Sequence, residues 1–347
     1  MQSQKNSFAQ IPMQWVGPIR MHFQGATEEF HIPLATYESP LWPSTARGAR
    51  ISRLTDGIHV TVADECMTRS ILLEAPNAPD AVNILQQILA RPALVEETVN
   101  STTRFGKFRS VTGQVTGNLL YLRIDMQTGD ASGHNMVTTA AEAALHALLQ
   151  TFPQLKYGSL SANTCTDKKN SAINGVLGRG RYTIAEMVIP SEICQKQLRT
   201  SPATIAQLNQ RKNWIGSMLA GSVRSANAHV ANILLAAYLA TGQDAANIVE
   251  GSQAFTLAEA DEHGLRFSLT VPNLIVGTVG NGKNLPFVEE NLARLGCREN
   301  RPTGENARRL AAMIAAATLC SELSLLGALT HPEELMRSHR KLERKRS

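Results

Sequence analysis

Asp167, Lys168 and Lys169 stand together in the stretch Ser161 to Arg179, Ser-Ala-Asn-Thr-Cys-Thr-Asp-Lys-Lys-Asn-Ser-Ala-Ile-Asn-Gly-Val-Leu-Gly-Arg. An acid and two lysines among small polar residues and glycines, with no clear helical or strand period, is the pattern of a site. Lysine is otherwise placed singly on the solvent side of amphipathic elements. Ammonium groups fixed in this way stabilise an oxyanion or hold a carboxylate or phosphate. Cys165 beside the pair is either a reactive thiol or a buried small hydrophobe, and the second is the commoner state of a lone cysteine.

Five cysteines (Cys66, Cys165, Cys194, Cys297, Cys320) lie scattered, without a C-x-x-C pair or a histidine at ligand spacing. That argues against a disulfide framework and a zinc site, so no metal is expected and a reducing compartment fits. The net charge of +5 is carried by the end of the chain, where Arg337 to Ser347 hold six Lys/Arg against Glu343 alone. A basic tail on an otherwise balanced chain with few aromatics does not predict a nucleic-acid partner. No apolar run approaches the roughly 20 residues of a membrane span, and Met1 to Gln10 lacks the apolar core of a signal peptide. We therefore expect a cytoplasmic protein with no membrane partner. Its 347 residues, 43% of them hydrophobic, are enough for one large domain or two unequal ones.

Elements that would position the lysine segment follow from periodicity. A strand-like run at Ser70 to Leu73 precedes a proline-marked turn and a helical pattern from Asp80 to Leu89. Alternating runs at Lys107 to Gln114 and Leu119 to Asp125, joined through Val115-Thr-Gly-Asn, read as a hairpin. A helix from about Asn135 to Leu149 and a strand from Lys156 to Leu160 complete a βαββαβ order, the ferredoxin-like one, whose end strands sit side by side and permit insertion into a larger domain. The remainder reads as helix-rich. Asn227 to Ala240 and Ala307 to Leu329 are apolar on most faces, as in helices buried all round, which suggests a central helix wrapped by other elements.

Ten segments in order make the chain resemble the catalytic portion of the 3-hydroxy-3-methylglutaryl-CoA reductases, on the class I side. They are Pro33-Leu-Ala-Thr-Tyr-Glu-Ser, Met67-Thr-Arg, Ser101-Thr-Thr-Arg-Phe, Gly129-Asp-Ala-Ser-Gly-His-Asn-Met, Cys165-Thr-Asp-Lys-Lys, Asn227-Ala-His-Val-Ala-Asn, Gly242-Gln-Asp-Ala-Ala, Gly277-Thr-Val-Gly, Gly304-Glu-Asn-Ala-Arg and Ser338-His. The resemblance implies an α+β fold, with a large helix-rich domain around a central buried helix and an inserted ferredoxin-like NADP-binding domain. On that pattern residues 1–70 and 160–336 form the large CoA-binding and dimerisation domain, 71–159 the insert, and 337–347 a basic flap. It also implies a homodimer or higher homo-oligomer whose active sites are shared between subunits. Neither a membrane anchor nor a phosphoswitch is expected, since Lys345 stands at the regulatory serine's position.

The reaction so implied reduces 3-hydroxy-3-methylglutaryl-CoA to mevalonate and CoA with two NADPH, through a hemithioacetal and an aldehyde. Lys168 matches the oxyanion lysine, His339 the acid that protonates the leaving CoA thiolate, Glu38 the proton-donating glutamate, and Asp244 the aspartate of the lysine and glutamate network. The resemblance assigns Arg69, Ser161, Asp167 and Lys169 to the glutaryl end and Asn227 to the thioester end. It gives NADPH Arg104, Phe105, the segment Asp130, Ser132, Gly133, His134 and Asn135, and the loop from Gly277 to Gly280.

Taken alone, Glu38 beside Pro40 and Pro43 is an ordinary loop glutamate, Asp244 caps or ends a helix, His229 is a hydrogen-bonded core histidine inside an apolar helix, and His339 is solvated. Departures from the family pattern are Ser132 and His134 in place of two methionines, Trp42 and Pro43 after Glu38, Arg224-Ser-Ala before Asn227, and no recognisable dimerisation motif in Gln4 to Gln10. They leave open a reductase of another acyl-CoA, or a non-catalytic CoA-binding paralogue.

Overall fold

Strands β1 (Met13–Phe23) and β2 (Ala26–Ala35) pair antiparallel across the two-residue turn Gln24-Gly25, at φ +50° and +80°. Left-handed backbone at both turn residues matches the twist of the strands it joins, and Gly25 adopts it without a Cβ clash. The computed structural model describes residues 8–332 and 334. Helix α1 (Leu41–Leu54) leads into β3 (Ile58–Glu74), a 17-residue strand on which the rest of the architecture depends.

The first half of β3, Ile58 to Cys66, pairs with β1 for two residues, in parallel, and with a later strand. Its second half, Met67 to Glu74, pairs with two others. After this strand the chain builds α2 (Ala78–Ala90), α3 (Ala93–Ser101), β4 (Lys107–Thr116), β5 (Leu119–Gln127), α4 (His134–Thr151) and β6 (Lys156–Ser159). Asn77 caps α2 by accepting from Asp80 N, with proline in the first turn. The strands run β4-β5-β3-β6, all antiparallel. The hairpin turn is tighter than its sequence suggested, with β4 continuing to Thr116 and Gly117 turning at φ +60°.

After the short helix α5 (Ala172–Leu177), β7 (Gly180–Ile189), β8 (Phe255–Asp261) and β9 (Gly264–Leu274) complete a path β2-β1-β3-β7-β9-β8. Helices α6 (Val230–Ala240), α7 (Pro286–Arg294) and α8 (Glu305–Leu329) pack with it. The expectation of a helix-rich remainder is thereby corrected: outside 71–159 a six-strand sheet path shares the core with the helices. β1 and β2 escaped the periodicity because Pro18 and Pro33 interrupt them, whereas β9 alternates apolar and polar residues from Leu265 to Val271 and was legible but missed.

Two hydrophobic clusters result. One gathers α2, α3 and α4 with β3 to β5, around Ile71, Leu122, Val137 and Leu145. The other surrounds α8, which is buried along nearly its whole length. By length and composition α8 is long and apolar enough to cross a membrane, contrary to the expectation that no run would be, but that stretch is 94% buried within the protein. It is the core helix. Its closest neighbour is α1, where a Cβ on Gly48 would overlap the backbone of Cys320.

Candidate active site

The segment Asn163 to Lys168 holds three non-glycine residues in the left-handed region, Asn163 at φ +61°, Thr166 at +42° and Lys168 at +57°. Each such residue carries strain of about 1 kcal/mol or more, which persists only where surrounding contacts over-determine the backbone. Those contacts are buried and ionic. Arg179, fully buried, donates to Asp167 Oδ1 at 2.5 Å, to Glu250 Oε1 at 3.2 Å and to Thr68 O at 2.8 Å. Glu250, also fully buried, accepts in turn from the backbone N–H of Lys168 at 3.1 Å and from Asn247. The backbone of the lysine segment is bolted down from beneath, while the Lys168 side chain turns into a cavity.

That cavity has a volume of about 340 Å³ and is lined by Arg69, Ala131 to Met136, Asp167, Lys168, Asp244, Val279 to Asn281 and Lys283. Lys168 Nζ lies 2.7 Å from Asp244 Oδ2. The hydrogen bond to Asp244 holds the Lys168 ammonium above its ordinary value. Burial alone would raise Asp244, but hydrogen bonds from Lys168 and Ala246 N–H and the charge of Lys168 hold it below the usual carboxylate range. The pair is an ammonium carboxylate ion pair at neutral pH. Asp244 also caps the turn Ala245–Asn247, so its two sequence-level roles coincide.

On the far wall, α4 begins at Gly133 (φ +96°), where a Cβ would meet the Thr128 side chain at 2.5 Å. Its first residues, with the loop Gly277 to Gly280, form a cradle: a Cβ on Gly277 would overlap Ser132 N, and Ala131 bridges to Val279. Burial, with the Arg179 charge, lowers His134 to about 4, so its imidazole is neutral, 3.9 Å from Asp167 and with Nε2 unpaired. Arg69 donates to Thr138 Oγ1 at 2.9 and 3.0 Å and approaches Asp167 at 3.6 Å.

The chain matches the family model "Hydroxymethylglutaryl-coenzyme A reductase" over residues 6–344. The chain belongs to the hydroxymethylglutaryl-coenzyme A reductase family. It is similar to the 3-hydroxy-3-methylglutaryl-coenzyme A reductase of Pyrococcus abyssi, 43% identical over 338 residues covering 96% of this chain and 82% of the relative. The Methanocaldococcus jannaschii reductase is 40% identical, with the same coverage of each. Among solved structures, the class II reductase of Streptococcus pneumoniae superposes with a TM-score of 0.74 at 21% identity, over 95% of this chain and 88% of that one. This last likeness is one of fold.

Not every expected site residue of the reductase meets at the cavity. Glu38, on the loop between β2 and α1, accepts from Asn232 Nδ2 at 2.8 Å and is not part of the lining. Nearby in sequence, His229 is the residue before α6, not within the helix. Its Nδ1 bonds to Glu322 Oε1 at 2.8 Å, and its Nε2 lies 3.0 Å from Ser321 Oγ. The expectation of a hydrogen-bonded histidine holds, at a corrected position.

Asn227 lies outside the cavity lining. Its amide donates to Ser225 Oγ, Ser252 O and Ala254 O and accepts from Val230 N, so it braces backbone, and Asn232 is the amide turned toward Glu38. Asp130 likewise caps the central helix, accepting from Gly304 N at 2.9 Å and Ala307 N at 3.0 Å. Ser161 and Lys169 lie outside the lining, and Lys169 Nζ donates to Asp167 O at 3.1 Å. Arg104 sits over the exposed ring of Phe105, whose backbone approaches Gly129. His339 and the segment 337–347 lie outside the described residues. Lys283 was missed, because a single lysine in a glycine-rich turn reads as solvated.

Proposed function

We propose that this reductase converts 3-hydroxy-3-methylglutaryl-CoA to mevalonate and free CoA in a four-electron reduction with two NADPH. The observation that carries it is the Lys168–Asp244 pair at 2.7 Å, held in the cavity by strained, buried-ion-anchored backbone. Carbonyl reduction places negative charge on oxygen, and Lys168 is an ammonium already oriented in a partly enclosed site, with little reorganisation left to do. Asp244 keeps Lys168 charged and fixes its rotamer. Arg69 and Lys169 are assigned to the free glutaryl carboxylate, with Asp167 and Ser161 beside them. Glu38 is assigned as the proton donor to the alkoxide and His339 as the donor to the departing thiolate.

The cradle fits the cofactor: Gly280 faces open space, Gly133 and Gly277 let the two loops pack closely against Thr128 and Ser132, and the N-terminus of α4 offers unpaired N–H groups. Ser132, Gly133, His134, Asn135 and the loop from Gly277 to Gly280 would hold NADPH, with Arg104 and Phe105 at its outer edge. When bound it supplies the hydride. Strand order β4-β5-β3-β6 supports assigning 71–159 as a ferredoxin-like insert and 1–70 with 160–336 as the large domain. Five buried free thiols support a cytoplasmic setting.

We further assign a homodimer or higher oligomer with shared sites. Trp214, Ile215, Met218 and Leu219 are exposed together on one helical stretch, and Glu38 is not part of the cavity lining within one chain. Loss of reduced-nicotinamide absorbance with 3-hydroxy-3-methylglutaryl-CoA tests the function. Two NADPH consumed per CoA released is expected, with Lys168→Ala inert and NADH run in parallel. Equal rates for the wild type and Lys168→Ala would refute it.

A further inference from the structure

We infer that Lys283 is a positioning residue of the reductase, tying the turn that carries Asp244 to the glycine loop of the cofactor wall and setting a second, buried cation behind the Lys168–Asp244 pair. The inference rests on the assignment of that pair to the reaction site. Lys283 is only 2% exposed, lines the same cavity, and its ammonium donates to the carbonyl oxygen of Gly242. Gly242 (φ +64°) and Gly282 (φ +81°) meet backbone to backbone: a Cβ on Gly242 would lie 2.5 Å from Gly282 O, and one on Gly282 2.8 Å from Gly242 O.

A second tie lies one residue on. Gln243 Nε2 donates to Gly277 O at 3.0 Å, and Gln243 Oε1 accepts from Gly277 N at 2.9 Å. Asp244 follows directly, so two consecutive residues upstream of the carboxylate are fixed to the loop from Gly277 to Lys283. A neutral donor would make the bond to Gly242 O without burying a charge, and an unpaired buried charge is strongly unfavourable. What lysine adds is positive charge near Asp244.

The charged groups facing Lys283 are few. Asp244 favours its charged form, and Arg298 opposes it, donating to Thr278 O at 2.5 Å, to Lys283 O at 3.1 Å and to Glu289. Lys168 stands on the other side of Asp244. Burial and the Arg298 charge lower Lys283 to about 8. Above that pH the amine is neutral and Asp244 loses one of its two cationic neighbours, so turnover falls. The unfolded lysine keeps its proton up to its ordinary value of 10.5, so between about 8 and 10.5 the unfolded chain binds more protons and this group makes stability rise with pH.

The test begins with wild-type enzyme, 3-hydroxy-3-methylglutaryl-CoA and NADPH, then Lys283→Met and Lys283→Arg. Lys283→Met is expected to lose kcat on the order of tenfold or more, the scale of a small misplacement of reacting groups, with thioester KM nearly unchanged. Its alkaline limb near pH 8 should vanish, and Lys283→Arg should restore turnover with that limb moved beyond pH 10. Thermal unfolding from pH 8 to 10 gives a readout independent of activity, and Lys283→Met should lose part of the wild-type upward slope. Wild-type kcat and an unchanged alkaline limb in Lys283→Met would overturn the inference. If that variant does not fold, a folded Lys283→Arg that keeps the limb near pH 8 overturns it equally. An inactive wild type would instead refute the proposed reaction and leave the unfolding slope to decide on Lys283.

Discussion

Lys168 and Asp244 shift each other in opposite directions, the lysine upward and the carboxyl downward, so the pair stays charged from about pH 4 to above pH 10. Because Asp244 is depressed when folded, its contribution to stability is present above its ordinary value of 3.8 and is lost only as pH falls through the lower folded value. Asp244→Asn should therefore reduce kcat on the order of a hundredfold, by freeing the Lys168 rotamer and removing the charge that holds it, with less effect on KM. Between pH 5 and pH 7 its rate profile should run parallel to wild type. A wild-type acid limb in that range that disappeared in the variant would contradict the assignment. At this scale the sequence was informative where charge violated context, as at Asp167-Lys168-Lys169. It was uninformative where polarity was alike: Asn227 and Asn232 flank one helix start, and only their hydrogen bonds separate the brace from the residue facing Glu38.

Most elements between residues 71 and 159 were legible because α2, α4 and the β4–β5 hairpin show a period of two or 3.6, whereas the nine-residue α3 after Pro92 was not expected. The central helix was legible for the opposite reason, a run from Leu310 to Leu329 whose one charged residue is Glu322. What periodicity cannot convey is how closely two elements approach. Helix α1 lies against α8 at Gly48, where any side chain would strike the Cys320 backbone, and backbone cannot yield as a rotamer can. Gly48→Ala should therefore destabilise the protein by about 1–3 kcal/mol, the usual penalty of overpacking, despite the better helix propensity of alanine. Urea unfolding would measure it; an unchanged or raised midpoint would mean that the two helices separate freely. Because α1 follows the Glu38 loop directly, the same variant should weaken turnover more than it weakens NADPH binding at the opposite wall.

At the scale of the whole molecule, the described chain carries two groups of side chains to which the proposed reaction assigns roles. One is the cavity of Lys168, Asp244 and the glycine cradle. The other is Glu38 with Asn232, followed by His229 on the buried carboxylate of Glu322, which also accepts from Ala228 N and His229 N at 2.7 Å. Reduction requires an oxyanion-stabilising cation and a proton donor at one carbonyl. If the first group of one subunit faces the second group of another, a dimer contains two complete sites and a monomer none. Glu38→Ala and Lys168→Ala homodimers should each be nearly inactive, while co-refolding equal amounts should produce mixed dimers in which one site is intact. Random reassociation then restores roughly a quarter of wild-type activity. Placing Asp at Met218 and Leu219, in the exposed apolar stretch, should abolish both association by light scattering and turnover, while leaving the Lys168–Asp244 cavity folded. Mixtures that stay as inactive as their components, although subunit exchange is demonstrated, would place Glu38 and Lys168 in the same subunit's site and require a closure within one chain to bring them together.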